Sequence, residues 1–583
     1  VLNTYFEQEL GRLRGLASEF AALNPALAPL LGADVAPDPD VERLLEGVAF
    51  LTGLMRQRLD DEFPEFVQSL AQMLFPHFLQ PWPCMTIMQF QPKGPLGGTV
   101  RIPAGAEVAS VPVDGVRTTF RTSFPVAVEP LSLRAARWEG EGAQRSLRLE
   151  FVFEGIEANA WRAQRVRLYL GDAVADASRL LLLMIRYVRE IHLSAPGGAL
   201  TVLPPSAISM AGLNPDATLV PHNDNTHPAH ALLREYFVFP EKFLYLDLSG
   251  FERWSERGTS GAFSVRFVLN ECPDWAPALG ETSFQLNTTP AVNLYEAQAH
   301  PVSLDERQAE YPVQLQEKDG RRVGQIFSLE RVSGYAAGEE IDYLPFAAFA
   351  GGPNTYHLRL RESPLKEGVD CFLSVAHAPQ TAGPSTLSGT ALAAHPTRPT
   401  LSIEALCTHG ALPEVLRLGD ICLPTDNSPS RMSFHNIRPV TSYRLPVLDD
   451  RLLWRMVSHL SANHLRLSSV KQLRQLLSLQ LAGARAGVAD VAQQRRIDAI
   501  EAYTVTPAQR LMGGIPVTGC EIALVCRSDA FVNLGGLFLF GAMLDEFFAG
   551  IVGLNAFSML SITDPVTGEI LQWPAKIGQQ QLL

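Results

Sequence analysis

Between Asp38 and Phe90 the chain reads DPDVERLLEGVAFLTGLMRQRLDDEFPEFVQSLAQMLFPHFLQPWPCMTIMQF, helical grammar that changes abruptly to strand grammar. Asp38 is placed to accept hydrogen bonds from the free N–H groups of a helix start, and Pro39 suits the first helical position. Val41, Leu44, Leu45, Val48, Leu51, Met55 and Leu59 then recur at helical spacing. Asp61 and Pro64 give a second start signal, and Pro76, Pro81 and Pro83 close that helix by Phe78. From Met85 to Phe90 apolar and polar side chains alternate, as in a strand. Upstream, Thr4 with Glu7 has the spacing of a capping box, and Leu10, Leu13, Leu16, Phe20 and Leu23 share one face. This first helix is expected to pack on the other two.

Strand patterns interrupted by Gly or Pro continue to about Leu203, with antiparallel sheets as the natural result. Ser206 to Ala231 is polar and Pro-containing and reads as a loop or interdomain crossing, after which Leu232 to Leu248 returns to packed structure. A second β-rich stretch runs to about Pro446. Asp449 resembles an N-cap for a helix carrying Leu452, Leu453, Met456, Val457 and Leu460, and Leu473, Leu476, Leu477 and Leu481 continue as a second helix. Beyond Gln509 the pattern is a strand at Glu521 to Arg527, a helix within Leu537 to Gly550 and a strand at Ala556 to Thr563. The expected fold class is α+β, mostly β, and multidomain. The divisions are an N-terminal helical region at 1–84, β-rich regions at 85–204 and 205–446 (the latter divisible near 300), a helical hairpin and linker at 447–510, and a C-terminal α+β unit at 511–583.

At 583 residues the chain is too long for a single core. A net charge of −13 without a basic block argues against nucleic acid as a partner. The apolar run Ala530 to Leu544 is too short to span a bilayer as a helix and reads as buried core. No basic segment followed by an apolar one opens the sequence, so a cytoplasmic location is expected. Seven scattered cysteines without a C-x-x-C pair fit reduced, mostly buried thiols.

His222, Asp224, His227 and His230 form the most tempting metal cluster, yet PHNDNTHPAH lacks a ligand spacing such as H-E-x-x-H, and no metal or cofactor is expected. His459 and His464 lie five apart, off a common helix face, and suit hydrogen bonds within the hairpin or at a partner surface. Ser468 to Lys471 spells S-x-x-K without K-T-G or S-D-N, and the same residues make an ordinary helix start. Phosphate-loop, dinucleotide and G-x-S-x-G motifs are missing. Asp60, Asp61 and Glu62 read as a helix-end charge cluster, although a pair of carboxylates assembled by the fold for glycosidase chemistry leaves no sequence signature. In REYFVFPEKFLYLDL, Arg234, Glu235, Tyr236, Phe237, Phe239, Pro240 and Phe243 combine aromatics with charge in a manner suited equally to an interface centre and to core. Trp454 joins this set of partner-interface or core candidates.

The opening TYFEQELGRLRGLASEFAALNPALAPLLG and the 38–90 stretch resemble the TssF family, also called ImpG or VasA, of type VI secretion baseplates. Further similar segments follow in family order: 232–248, FQLNTTPAVNLYE at 284–296, YHLRL at 356–360, 401–420, LLWRMVSHLSANHLRLSSVKQLRQLL at 452–477, and 519–562. Regions 130–200 and 375–398 resemble the family least. The resemblance implies a non-catalytic wedge subunit, with two TssF copies joined to one TssG. It also implies recruitment of TssK and the sheath-linked TssE around a VgrG hub, in a cytoplasmic baseplate docked at the inner membrane through other subunits. The two copies would occupy different environments, with 206–231 and 481–509 absorbing the difference. A tail-associated glycan hydrolase and a secreted effector are the alternatives.

Overall fold

The computed structural model describes residues 2–23, 39–142, 145–214, 217–222, 226–305, 308–316, 324–336, 339–346, 354–364, 368–376, 399–449, 453, 469–481, 483 and 488–578. Strand exceeds helix, 38% against 27%, and several sheets share the chain.

Helix α1 (Leu2–Leu23) lies against α2 (Pro39–Leu74), the two joined by the Arg14–Glu42 ion pair. Two expectations change here. Helix α1 is already under way at Leu2, which puts Thr4 inside the helix instead of at its cap. The two helices read after Asp38 are one, and Pro64 lies within it. A proline deletes one N–H and crowds one preceding carbonyl, a local cost that the helical stretches on both sides outweigh. The short α3 (Pro76–Leu79) and strand Met85–Pro92 follow as the prolines and the alternation predict.

Strand Met85–Pro92 lies one in from the edge of a six-stranded sheet, pairing antiparallel with Thr288–Val292 on one side and with the edge strand Met432–Asn436 on the other. A five-stranded sheet is built from Leu131–Glu139, Ser146–Phe153, Ala262–Leu269, Val188–Ser194 and Thr201–Leu203. Residues from both sides of position 204 thus share sheets, because alternation marks a strand without naming its neighbour. In Ser146–Phe153 the alternation is complete, with Leu147, Leu149, Phe151 and Phe153 buried.

Helix α4 (Val174–Arg186) falls in the stretch read as strands. Its Leu180 to Leu183 run carries no period of its own, and the surrounding core made it helical. The segment 206–231 is likewise packed: it contains strand Ile208–Met210, buried Ala211, Leu219 and Val220, and the start of α5 (Pro228–Val238). Past α6 (Val470–Leu479), the expected linker holds α7 (Val488–Asp498) and strand Ile500–Met512. That strand forms a hairpin with Ile515–Cys526, whose turn is Gly513–Gly514, both at positive φ.

Helix α8 (Leu534–Ile551) is the hub of the largest core. Asn533 caps it by accepting from Gly536 N at 3.0 Å, and the helix is apolar on nearly every side because α4, α5 and strand Ala556–Thr563 surround it. Its length and composition would suit a membrane span, but 83% of it is buried inside the protein. Two smaller cores lie under the Met85–Pro92 sheet and inside an eight-stranded sheet formed by residues 295–408.

Candidate assembly interface

The aromatic segment singled out in the sequence is interior. Arg234, Glu235, Tyr236 and Phe237 lie on α5, Phe239 follows it, and Pro240 to Phe243 form a 3-10 turn; of these, Arg234, Glu235, Tyr236, Phe237, Phe239 and Phe243 are all buried. Tyr236 packs on Phe237, Phe243 and Phe540. Arg234 donates to the His77 carbonyl and lies over the rings of Phe78 and Trp82, at 4.9 and 5.3 Å. Burial, and then the nearby Arg444 cation, bring its guanidinium down to about 9. Burial also holds His77 well below the ordinary imidazole range, reinforced by Arg234.

Glu235 forms a buried pair with Lys242 and accepts from Leu219 N at 2.8 Å. Burial alone would raise its carboxyl, but Lys242 and His222 outweigh that and hold it below the usual carboxylate range. The histidine segment serves the same packing. His227 caps α5 by accepting from Ala229 N at 3.3 Å, His230 meets the edges of Phe75 and Phe547, and His222 Nε2 lies 3.7 Å from Glu235. Asp224 is outside the described residues, as are Trp454, His459, His464 and Ser468. Ser469 caps α6, accepting from Gln472 N at 3.3 Å.

What the periodicity did not reveal is where the α2 stripe points. Leu44, Leu51 and Met55 are 69%, 58% and 66% exposed, and Phe20 of α1 and Phe66 of α2 also face solvent. Among the described side chains of α1 and of α2 up to Met55, only Leu10, Ala49 and Gly53 are buried. Two helices that leave this much apolar surface in water form a candidate contact site. The spacing predicts an amphipathic face without saying which molecule covers it.

Two cavities bear on catalysis. One of about 400 Å³, between α2 and the 295–408 sheet, has Glu330 as the only carboxylate in its lining among the described residues. A more open one of about 580 Å³ is lined by Asp172, Asp176 and Asp274. There the Thr282 and Ser283 hydroxyls donate to Asp172, Asp176 pairs with Arg179 at 3.5 Å, and both Asp176 and Asp274 face solvent.

A family model described as type VI secretion system, TssF matches residues 1–580. The chain is 29% identical over 631 positions to the type VI secretion system component TssF1 of Pseudomonas aeruginosa, spanning 99% of this chain and 98% of that protein. Its fold is similar to a chain of the TssK-TssF-TssG baseplate subcomplex solved by cryo-electron microscopy, with a TM-score of 0.77 and 27% identity over 93% of this chain and 99% of that one. A chain of the baseplate complex from the type VI secretion system shares the fold at a TM-score of 0.61 and 21% identity, with 100% of both chains covered. A match that runs from the solvent-facing N-terminal helices to the C-terminal sheet places the chain in the TssF family of the type VI secretion system.

Proposed function

We propose that this chain is a structural wedge subunit of a type VI secretion baseplate, assembling with TssG and TssK, and that it has no catalytic role. The observation that carries this is the fold match over 93% of the chain to a subunit of a TssK-TssF-TssG subcomplex. The exposed stripe of α1 and α2 supports it, because an amphipathic helical pair of this kind buries its apolar face against further helices, here a partner's. Two copies per TssG, contact with TssE and the VgrG hub, and a position on the cytoplasmic side of the inner membrane complete the reading. Two copies clasping one asymmetric chain meet different surfaces, so one sequence serves two settings.

Co-expression of the tagged chain with TssG and TssK tests the reading. A soluble complex with two copies of this chain per TssG by mass is expected, with the chain poorly soluble alone. A monodisperse monomer without affinity for TssG overturns the assembly role, and one copy per TssG overturns the stoichiometry. Alanine at His227, His230, Ser468 or Cys407 is expected to leave secretion near normal. Loss of secretion with assembly intact would restore a catalytic or metal role.

A further inference from the structure

The five-stranded sheet turns Leu147, Leu149, Phe151 and Phe153 inward, so the alternate residues of its strands face outward. On that outer side one row of positions crosses four strands. Arg266 of Ala262–Leu269 lies opposite Arg148 of Ser146–Phe153 on one side and His192 of Val188–Ser194 on the other, and Arg148 lies opposite Arg137 of Leu131–Glu139. Like charges directly opposite one another destabilise a sheet, so three arginines in one row cost this one stability.

Neighbouring carboxylates offset part of that cost. Glu139 pairs with Arg148 at 2.9 Å and with Arg266 at 3.0 Å, and Glu150 pairs with Arg137 and lies 3.5 Å from Arg148 Nε. At the end of the row Glu190 meets His192 at 3.1 Å and Arg189 at 3.6 Å. The hydrogen bond from Arg137, and then the fields of Arg137, Arg148 and Arg134, hold the Glu150 carboxyl below the usual carboxylate range. Among the described residues the three arginines of the row thus share two carboxylates, and the side chains of Arg137 and Arg266 stay 55% and 46% exposed. On a chain of net charge −13 this is a local excess of positive charge.

We propose that this face docks an acidic helical segment of a partner subunit, laid across the strands with one carboxylate per turn. Guanidinium groups pair with carboxylates in a fixed fork geometry, and the exposed forks of Arg137 and Arg266 supply the ends of such a contact. Spacing selects the helix. Its turns repeat about every 5.4 Å against strands about 4.8 Å apart, whereas alternate side chains of an extended segment are about 6.7 Å apart. Across three arginines the helix drifts out of step by about 1 Å and the extended segment by about 4 Å. Charge selects a protein over a polyanion: a phosphate backbone or an anionic bilayer would press continuous negative charge onto Glu139, Glu150 and an acidic chain, while a helix with spaced carboxylates avoids the two glutamates. The source of the segment rests on the assembly role proposed above, whereas the arginine face does not.

Two measurements test this. The first is binding of a blocked, alanine-rich helical peptide with glutamate at i, i+4, i+7 and i+11 to the full chain at low salt. Arg137→Ala with Arg266→Ala is expected to weaken that binding about tenfold with the circular dichroism unchanged, and Arg137→Lys with Arg266→Lys, a second pair should the first misfold, is expected to weaken it less. Added salt is expected to weaken the parent's binding. No binding at millimolar peptide, binding that both variants keep at the parental level, or equal binding of a peptide with the same glutamates in one block overturns the proposal. Arginine-dependent binding of a DNA duplex or of phosphatidylglycerol vesicles that displaces the peptide names a polyanion and overturns the acidic-segment assignment. The second measurement is phenylglyoxal modification of the chain, free and in its co-expressed complex with TssG and TssK. Arg137 and Arg266 are expected to lose most of their reactivity in the complex; equal reactivity in both overturns the partner as the source. If no complex forms, the assembly role fails and the peptide alone decides for or against the face.

Discussion

Arg234 lies fully inside the protein with a carbonyl and two aromatic faces for company and no ion pair to it among the described residues. A buried cation without a counter-charge is costly, so its contacts with His77, Phe78 and Trp82 must offset much of the desolvation. Arg234→Ala loses those contacts and leaves a cavity, and is expected to destabilise by about 3 kcal/mol, whereas Arg234→Met fills the space without the charge and is expected to cost about 1 kcal/mol. Urea unfolding of the two variants checks the order; equal losses would mean that the charge, and not the volume, matters. Asp545 of α8 poses the opposite problem. Burial raises its carboxyl to about 6 against the partial pull of Lys576, whose Nζ is 2.7 Å away. A carboxyl with a folded pKa above its ordinary 3.8 holds its proton more tightly in the fold. Its contribution to stability is therefore full below about pH 4 and is lost as the pH rises through about 6. The stability of Asp545→Asn relative to the parent is expected to rise by about 2 kcal/mol between pH 4 and pH 7. A difference that stays flat over that range would show that Lys576 keeps the carboxylate charged throughout.

At the scale of elements, α8 works because its glycines let neighbours approach. A Cβ on Gly535 would come within 2.4 Å of the Ser178 backbone of α4, and one on Gly541 would meet the Trp573 ring at 2.2 Å. The Ser178 contact is backbone and cannot swing aside. Gly535→Ala is expected to destabilise by about 2 kcal/mol despite the better helix propensity of alanine, and thermal melting measures it. No loss of stability would mean that α4 and α8 slide apart freely. The helix itself was legible, since a long apolar run ending at Asp545 and Glu546 announces a buried segment. Strand Ala556–Thr563 has the bounds that alternation predicts. Less legible were α4, whose leucine run has no period, and the continuity of α2 through Pro64, which depends on what holds both ends. The aromatic segment around Phe239 illustrates the same limit: aromatics with charge describe an interface and a core equally well, and only the packing of Tyr236 on Phe540 decides for core.

For the whole molecule, the decisive contrast is between apolar surface that the chain buries for itself and apolar surface that it leaves in water. Phe239 and Phe243 are at most 1% exposed, while Leu44 and Met55 are 69% and 66% exposed. The same kind of substitution should therefore have two different consequences. Phe239→Asp with Phe243→Asp places unpaired charge in a packed interior and is expected to cost more than about 5 kcal/mol, leaving the chain unfolded with or without partners. Leu44→Glu with Met55→Glu puts charge where solvent already reaches, so the free chain should keep its fold and gain solubility. In the presence of TssG this α2 variant is expected to fail to bind, because an apolar face that meets a partner cannot accommodate two buried carboxylates, and each costs several kcal/mol at a contact that excludes water. Circular dichroism of each variant alone, followed by co-purification with TssG, separates the cases. An α2 variant that folds and retains TssG at the parental level would move the assembly surface away from α1 and α2, and a Phe239–Phe243 variant that folds would move that segment out of the core.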